Sequence, residues 1–282
     1  MLLGGIALLS ALMAGALCYC AGAFCTLDWL WALPLGFAGS YIVLAALVFL
    51  ILWISCKLVD QSKPQAHDSK YFRFLAALLL PAARRILSMR MHTRGLEQMP
   101  ENGRFFLVCN HINDMDPVTL LMYFNHRQLA FISKRENANM FIVGKIMHKL
   151  MCQMINREND REALKTILTC VRLIQEDEVS VAVFPEGYTS LDGLLHPFRH
   201  GVFKIPLKTK VPIVVCTLQN TNKVFKNAMR LKATDVHLHL VKVLYPEDYA
   251  GMTAVQVGET VHKLMADDLG PDLVLPEQKE EA

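Results

Sequence analysis

Two short polar segments interrupt the apolar pattern of this chain, and each directly follows a run of β-forming residues. The first is Val108-Cys109-Asn110-His111-Ile112-Asn113-Asp114-Met115-Asp116-Pro117; the second is Phe184-Pro185-Glu186-Gly187. His111 and Asp116 are the residue types for general-base work. A carboxylate holding one imidazole nitrogen fixes the tautomer, frees the other nitrogen as a base and stabilises the imidazolium that forms. Such a base could deprotonate a hydroxyl as it attacks an acyl thioester, help worth typically about 10²–10⁴ in rate.

Spacing decides whether the two side chains can meet. On a continuous helix, residues five apart point about 140° away from each other. Pro117 offers a way out, because proline prefers the first helical position and pushes its predecessor into extended geometry. The expectation is a helix starting at Pro117 with Asp116 as its N-cap, and a loop of 112–115 folding His111 back. By itself the pair reads equally well as an Asp cap beside a structural histidine. Glu186, between proline and glycine, is an acid at a sharp turn. It could accept a hydrogen bond from a substrate hydroxyl or position a basic residue; read alone, it is a turn acid in water.

The elements that must position these residues follow from periodicity. Strands are expected at 104–109, 129–133, 179–184, 212–219 and 235–244. Between them, Leu164, Ile167, Leu168, Val171 and Ile174 share one helical face over 161–175, with Asp160 as N-cap, and 254–266 reads as a second helix. Strands alternating with helices predict an α/β domain whose helices cover the sheet. Reactive residues of such a domain gather at strand ends that open into a crevice.

The start of the chain is different. The composition is 53% hydrophobic and the mean hydropathy is +0.28, high for a chain wholly in water. Met1 to Leu27 carries no charge, Asp28 intervenes, and Trp29 to Cys56 again carries none. A bilayer core needs about 20 apolar helical residues, so a transmembrane helical hairpin is expected, with Trp29 and Trp31 near one interface. A cleaved signal fits less well, since no Lys or Arg precedes the apolar run and the run exceeds the usual core of about 7–15 residues.

Lys57, Lys63, Lys70, Arg73, Arg84, Arg85, Arg90 and Arg94 follow the second span, with no acid between Ser69 and Leu96. The positive-inside tendency places that end in the cytoplasm, making this an integral protein of the cell membrane with its large C-terminal part on the cytoplasmic side. The division is then a two-helix anchor at 1–57, a hinge and basic amphipathic interfacial segment at 58–93, a catalytic domain at 94–276 and a flexible tail at 277–282. Pro81 is expected to break or kink the amphipathic stretch.

The remaining classes recede. A net charge of +3 from 29 basic and 26 acidic residues gives no case for nucleic acid, although basic residues beside a membrane span suit anionic headgroups or a solvated helix face. Eight cysteines without a pair of CxxC motifs argue for free thiols in a reducing compartment rather than a zinc or disulfide framework, and no metal is expected. His237 and His239 share a strand face but lack a supporting carboxylate or thiol cluster. Ser180 and Ser190 lack the nucleophile elbow of a serine hydrolase.

Together the two segments resemble the 1-acylglycerol-3-phosphate acyltransferase family. The likeness rests on Asn110-His111-x4-Asp116 and Phe184-Pro185-Glu186-Gly187. Between them stand Lys134 and Glu136, Gly144 and Ile155-Asn156-Arg157; Asp192-Gly193, Phe198, Gly201, Phe203 and Val211-Pro212-Ile213-Val214 follow, over roughly residues 95 to 220. The resemblance implies a glycerolipid acyltransferase-like fold, a central mixed sheet covered by helices behind the hairpin. It also implies direct acyl transfer, without an acyl-enzyme, to the sn-2 hydroxyl of lysophosphatidic acid, giving phosphatidic acid for phospholipid synthesis. His111 would be the base and Asp116 its orienting partner, while Lys134, Arg157, Glu186 and Gly187 would bind the acceptor. No cofactor is implied: the co-substrate is acyl-CoA or acyl carrier protein, and the partners are the bilayer and the lysophospholipid.

One departure bears on the acceptor. The family usually reads Thr-Arg-Ser after that glycine, and this chain reads Tyr188-Thr189-Ser190, leaving Arg199 as a candidate replacement. The rival readings are another acceptor such as glycerol 3-phosphate or a different lysolipid, a membrane lipid-binding protein without catalysis, and a lipid hydrolase.

Overall fold

The structure, a computed structural model, describes residues 2–275; the tail expected at 277–282 lies outside them. The chain runs α1 (Leu2–Cys20), α2 (Trp29–Lys57), α3 (Lys70–Ile86), β1 (Met89–Arg94), β2 (Phe106–Cys109), α4 (Met115–Phe124), β3 (Leu129–Lys134), α5 (Phe141–Lys149) and β4 (Gln153–Ile155). It continues with α6 (Asp160–Gln175), β5 (Ser180–Val183), α7 (Lys204–Thr209), β6 (Ile213–Gln219), α8 (Val224–Ala228), β7 (Thr234–Leu244) and α9 (Ala254–Leu269).

The strands form one sheet in the order β1-β7-β6-β2-β5-β3-β4. The run from β6 to β4 is parallel, β7 is antiparallel to β6, and β1 is parallel to β7, which gives the expected mixed sheet. Residues of β2 and β5 are buried throughout, as strands covered on both faces must be. Their continuous apolar runs therefore show no alternation. Because the five parallel strands point the same way, the residues that follow β2, β5, β6 and β4 all emerge at one edge of the sheet. His111, Glu186, Thr221 and Arg157 lie on those four exits.

The hairpin is built by small residues. Ile6, Ser10, Ala14 and Cys18, spaced by four, are the buried face of α1, and a Cβ on Gly36 would lie 3.4 Å from the Ala14 Cβ, so the two backbones approach closely there. Most other side chains of α1 and α2 point outward, and both helices are long and apolar enough to cross a membrane. The hairpin touches the sheet domain where Trp53 meets Phe141 on α5 and Lys145 donates to the Val59 carbonyl at 2.9 Å.

Several expectations need correcting. Residues 89–93, assigned to the interfacial segment, form with Arg94 the edge strand β1 against β7. The edge position removes the inside-outside alternation that marks a strand, and only Met89 is buried. Pro81 does not break α3, which runs to Ile86 with Ser69 accepting from the Phe72 N–H at its start. Arg73 is a buried structural residue, ion-paired to Asp68 at 2.9 Å and donating to the Leu129 and Leu150 carbonyls. The exposed cations of α3 are Lys70, Arg84 and Arg85. The cap of α6 is Asn159, whose side chain accepts from the Arg161 and Glu162 N–H groups, one residue before the expected Asp160.

Candidate active site

Asn110 directly follows β2 and ties it to its neighbour. Its buried amide accepts from the Leu218 N–H at 2.7 Å and donates to the Leu218 carbonyl at 2.9 Å, so the exits of β2 and β6 are held side by side. Only after this clamp does the chain leave the sheet, at His111.

His111 and Asp116 do meet: Nδ1 lies 2.9 Å from Oδ2. The mechanism of their meeting differs from the expected cap. Helix α4 begins at Met115, two residues before Pro117, and Asn113 accepts from the Met115 N–H at 3.0 Å. Asp116 thus lies inside the first turn, and its carboxylate reaches back over the loop. Oδ2 accepts from the N–H groups of Ile112 at 2.7 Å and Asn113 at 2.8 Å, while Oδ1 accepts from the Thr221 hydroxyl that follows β6. The loop curls around a carboxylate that is fully buried. Every contact is a donor, a set that an acceptor-only carboxylate satisfies.

With Asp116 on Nδ1, the ring carries its proton there and presents Nε2 as an acceptor. Nε2 is 3.1 Å from the Thr189 hydroxyl. The ring also stacks on Phe184, with centroids 4.3 Å apart and planes at 20°. Side chains from three strand exits therefore fix one imidazole: Asp116 after β2, Phe184 and Thr189 after β5, and Thr221, acting through Asp116, after β6.

Glu186 is not the solvent-facing turn acid that its setting suggested. It is 1% exposed, and its oxygens accept from the His111 N–H at 2.8 Å, the Ser190 hydroxyl at 2.6 Å and the His196 N–H at 3.0 Å. Burial raises its pKa above the usual carboxylate value, against the pull of those hydrogen bonds. Its place is to tie the turn after β5 to the backbone of His111, with the Ser190 N–H adding a 2.7 Å bond to the His111 carbonyl. Two features bear on Gly187. Its φ of +84° is a left-handed conformation that disfavours a side chain, and a Cβ there would lie 2.9 Å from Cδ and Nε of Arg199.

Beside this constellation is a cavity of about 250 Å³. Ile132, Ile155, Ile167 and Val183 give it an apolar floor, Phe184, on which His111 stacks, and Gly187 form one wall, and Arg157 and Arg199 line it. Burial, and then the charge of Arg199, lower the Arg157 pKa. Lys134, at the end of β3, has an exposed side chain and is not among the lining residues.

The structure thus gathers His111, Asp116, Glu186, Gly187 and Arg157 at one edge and leaves Lys134 at the margin. Sequence reasoning missed Thr221, Thr189 and the structural part of Ser190. The β6 exit at Gln219-Asn220-Thr221 was an available signal, since a parallel neighbour of β2 must end beside it. His237 and His239 have other partners: His237 stacks on His92 at 5.0 Å, and His239 bonds Asp268 at 2.5 Å. The thiols of Cys109 and Cys216 are pushed up by burial, as is that of Cys152, to about 11.

A model of the Acyltransferase family matches residues 90–219, the stretch that contains His111, Asp116, Arg157, Glu186 and Gly187, with Thr221 just beyond it. The chain is 28% identical over 169 residues to a 1-acyl-sn-glycerol-3-phosphate acyltransferase of Cocos nucifera, covering 60% of this chain and 54% of that protein. It is 32% identical over 155 residues to a chloroplastic protein of the same description from Brassica napus, covering 54% and 44%. The chain therefore spans about half the length of these curated relatives. Among solved structures, the 1-acyl-sn-glycerophosphate acyltransferase PlsC of Thermotoga maritima superposes with a TM-score of 0.59 over 81% of this chain and 91% of that one. At 17% identity it shares the fold.

Proposed function

We propose, from the match of residues 90–219 to the Acyltransferase family model and from the geometry of the site, that this chain is a 1-acylglycerol-3-phosphate O-acyltransferase. In this reading it moves a fatty acyl chain from acyl-CoA or acyl carrier protein to the sn-2 hydroxyl of lysophosphatidic acid and gives phosphatidic acid. The observation that carries the reading is the state of His111. Its Nδ1 is held by a buried carboxylate, and its Nε2 already engages a hydroxyl, that of Thr189.

The acceptor hydroxyl takes the place of the Thr189 hydroxyl on Nε2. As its oxygen attacks the thioester carbonyl, its proton passes to Nε2 and Asp116 stabilises the imidazolium. Collapse of the tetrahedral intermediate breaks the C–S bond, and the imidazolium returns its proton to the departing thiolate. No acyl-enzyme and no cofactor enter this scheme. Glu186 contributes through position, by holding the backbone of the base. The hairpin lies in the bilayer, with the sheet domain on the cytoplasmic side, the end at which Lys57, Lys63, Lys70, Arg84 and Arg85 follow the second span; there a lysolipid enters laterally and the thioester arrives from water.

The test is a panel of acceptors, namely lysophosphatidic acid, glycerol 3-phosphate, other lysolipids and none, each with acyl-CoA and acyl carrier protein as donors. Transfer to lysophosphatidic acid, lost in His111→Ala with the fold retained by circular dichroism, is the expected result. Wild-type turnover in His111→Ala would sink the assignment of the base. The non-catalytic reading, favoured by threonine standing at 189 in place of the family's arginine, predicts binding of lysophosphatidic acid without turnover on either donor.

A further inference from the structure

The connection from β6 to β7 leaves the sheet at the edge where His111 leaves β2, because β6 is parallel to β2 and β7 returns antiparallel beside it, with His237 opposite Gln219. At its base this connection supplies Thr221, whose hydroxyl holds Asp116. Beyond Thr221 its composition serves neither the sheet nor the base. The chain has no acidic residue from Gly193 to Thr234, and Lys223, Lys226, Arg230 and Lys232, all exposed, occupy the last part of that stretch. Among the described residues none of the four lies within 4.0 Å of a carboxylate, and Asp235, the next acid, bonds His92 at 2.8 Å.

Three apolar side chains stand among these cations: Phe225 is half exposed, Met229 is 82% exposed and Leu231 is 95% exposed. The backbone does not ask for a leucine there. In the turn that closes α8, the Leu231 N–H donates to the Ala228 carbonyl and the Lys232 N–H to the Asn227 carbonyl, a pairing that puts Leu231 where glycine ordinarily stands. Its φ of +53° disfavours a side chain, and Leu231 gains no burial in return. The segment is nonetheless fixed, since Val224 is fully buried and the Asn227 amide donates to the Thr234 hydroxyl at 3.0 Å. Its neighbours extend the same surface. The Thr234 N–H donates to the Ser88 carbonyl at 3.0 Å, so exposed Arg84, Arg85 and Ile86 at the end of α3 adjoin it. A Cβ on Gly193 would lie 3.7 Å from Nδ2 of Asn222, so the turn after β5, whose Leu191 is 93% exposed, borders it on the other side.

We infer that the 222–232 connection is a second membrane contact, separate from the hairpin, in which Phe225, Met229 and Leu231 enter the headgroup region of an anionic bilayer and the four cations pair with its phosphates. Apolar tips among unpaired cations match that surface, which takes up apolar side chains at its acyl boundary and holds Lys and Arg at its headgroups. The hairpin tethers the domain, and this contact orients it. It turns the edge that carries His111 toward the bilayer, so that a lipid hydroxyl at headgroup depth reaches Nε2 without leaving the membrane. The inference goes beyond the acyl-transfer reading and stands on the placement of this segment, whatever the acceptor.

The experiment places the full-length protein in vesicles of phosphatidylcholine alone or of an equal mixture with phosphatidylglycerol. Leu231→Trp should add a blue-shifted emission to the signal of Trp29, Trp31 and Trp53, quenched by acyl-chain-brominated lipid more strongly in the mixed vesicles than in the neutral ones. Lys226→Gln, Arg230→Gln and Lys232→Gln, combined in that background, should remove the difference between the two lipids. In turnover, Leu231→Gly should lower kcat/KM for a long-chain lysophosphatidic acid in mixed vesicles by about 10-fold, the order expected for burying one leucine, and change it by less than about twofold for a short-chain analogue dissolved in water. Glycine suits φ +53°, so this variant should melt at or above the wild-type temperature, which separates a lost contact from a lost fold. An added emission that stays red-shifted and unquenched in mixed vesicles would overturn the inference, as would an equal loss on both acceptors. A blue shift produced by acyl carrier protein without vesicles would also overturn it, by assigning the segment to a protein partner. A wild type without acyl transfer would remove the acyl-transfer reading and leave the fluorescence result to decide this one.

Discussion

The same trio of side chains occurs twice in this molecule. His111 faces Asp116, whose second oxygen takes the Thr221 hydroxyl; His239 faces Asp268, whose second oxygen takes the Thr217 hydroxyl. The two histidines are comparably exposed, at 17% and 21%. The aspartates differ. Asp116 is sealed and accepts two backbone N–H groups in addition, whereas Asp268, near the end of α9, is 16% exposed and bonds only to side chains. Nε2 of His111 meets the Thr189 hydroxyl, and its ring stacks on Phe184, which lines the arginine cavity, whereas His239 bonds only Asp268 among its side-chain hydrogen-bond partners in the described residues. A histidine-aspartate pair is therefore not itself a site. The backbone that clamps the carboxylate and the space next to the free nitrogen distinguish a base from a brace.

The sharpest way to break the comparison is Asp116→Asn. An amide supplies one acceptor and brings an NH₂ group into a pocket built wholly of donors, so the loop of 112–113 loses its anchor and the imidazole its fixed tautomer. Turnover should fall by about 10²–10⁴, measured at saturating acceptor with the fold checked by circular dichroism. Wild-type turnover would place the two trios on an equal footing.

Glu186→Gln comes next. An amide in the place of Glu186 sets an N–H against the N–H of His111 or His196, at a cost of about 1–3 kcal/mol for the unsatisfied group, and should lower kcat by displacing the base. It also has a pH signature. Burial raises the Glu186 pKa, so the folded state holds this proton more tightly than the unfolded one. The resulting stability is complete below the unfolded carboxylate value and is lost as pH rises through the folded one. Melting temperatures measured upward from acid pH should show that decline in wild type, and the Glu186→Gln profile should be flatter. Identical slopes would dismiss the assignment.

Thr189→Val has a smaller effect and separates two mechanisms. If the hydroxyl only occupies the acceptor's seat on Nε2, its loss should change turnover by less than about tenfold, the worth of a neutral hydrogen bond. A threonine nucleophile, as a hydrolase would require, predicts abolished turnover and an acyl adduct in the wild type by intact-mass measurement.

Much of this arrangement was legible in the chain. The uncharged runs around Asp28 and the strand-helix alternation yielded the hairpin and the sheet class, because burial on a fixed period is what sequence patterning records. The closeness of His111 and Asp116 was legible too, but its cause was not: Pro117 suggested a cap, and the loop instead wraps around a carboxylate inside the helix, a backbone arrangement that leaves no residue-type signal. Thr221 lies 105 residues from Asp116 in sequence, and only the pairing of β6 with β2 brings it there. Edge strand β1 was hidden because one exposed flank erases alternation.

Asp268→Asn should have the smallest effect, and it tests the other side of the comparison. The Asp268 carboxylate braces β7 and β6 to α9 through His239 and Thr217, both side-chain contacts at a partly solvated position. An amide oxygen can keep one of them, and water can serve what is left. The cost should be about 1 kcal/mol of stability, visible as a small drop in denaturation midpoint, with kcat and acceptor KM at wild-type values. Loss of turnover here, with the midpoint unchanged, would mean that the second trio communicates with the first along β6, whose Thr217 supports Asp268 and whose exit carries the Thr221 that holds Asp116. The sheet would then couple the two pairs that their differing burial now separates.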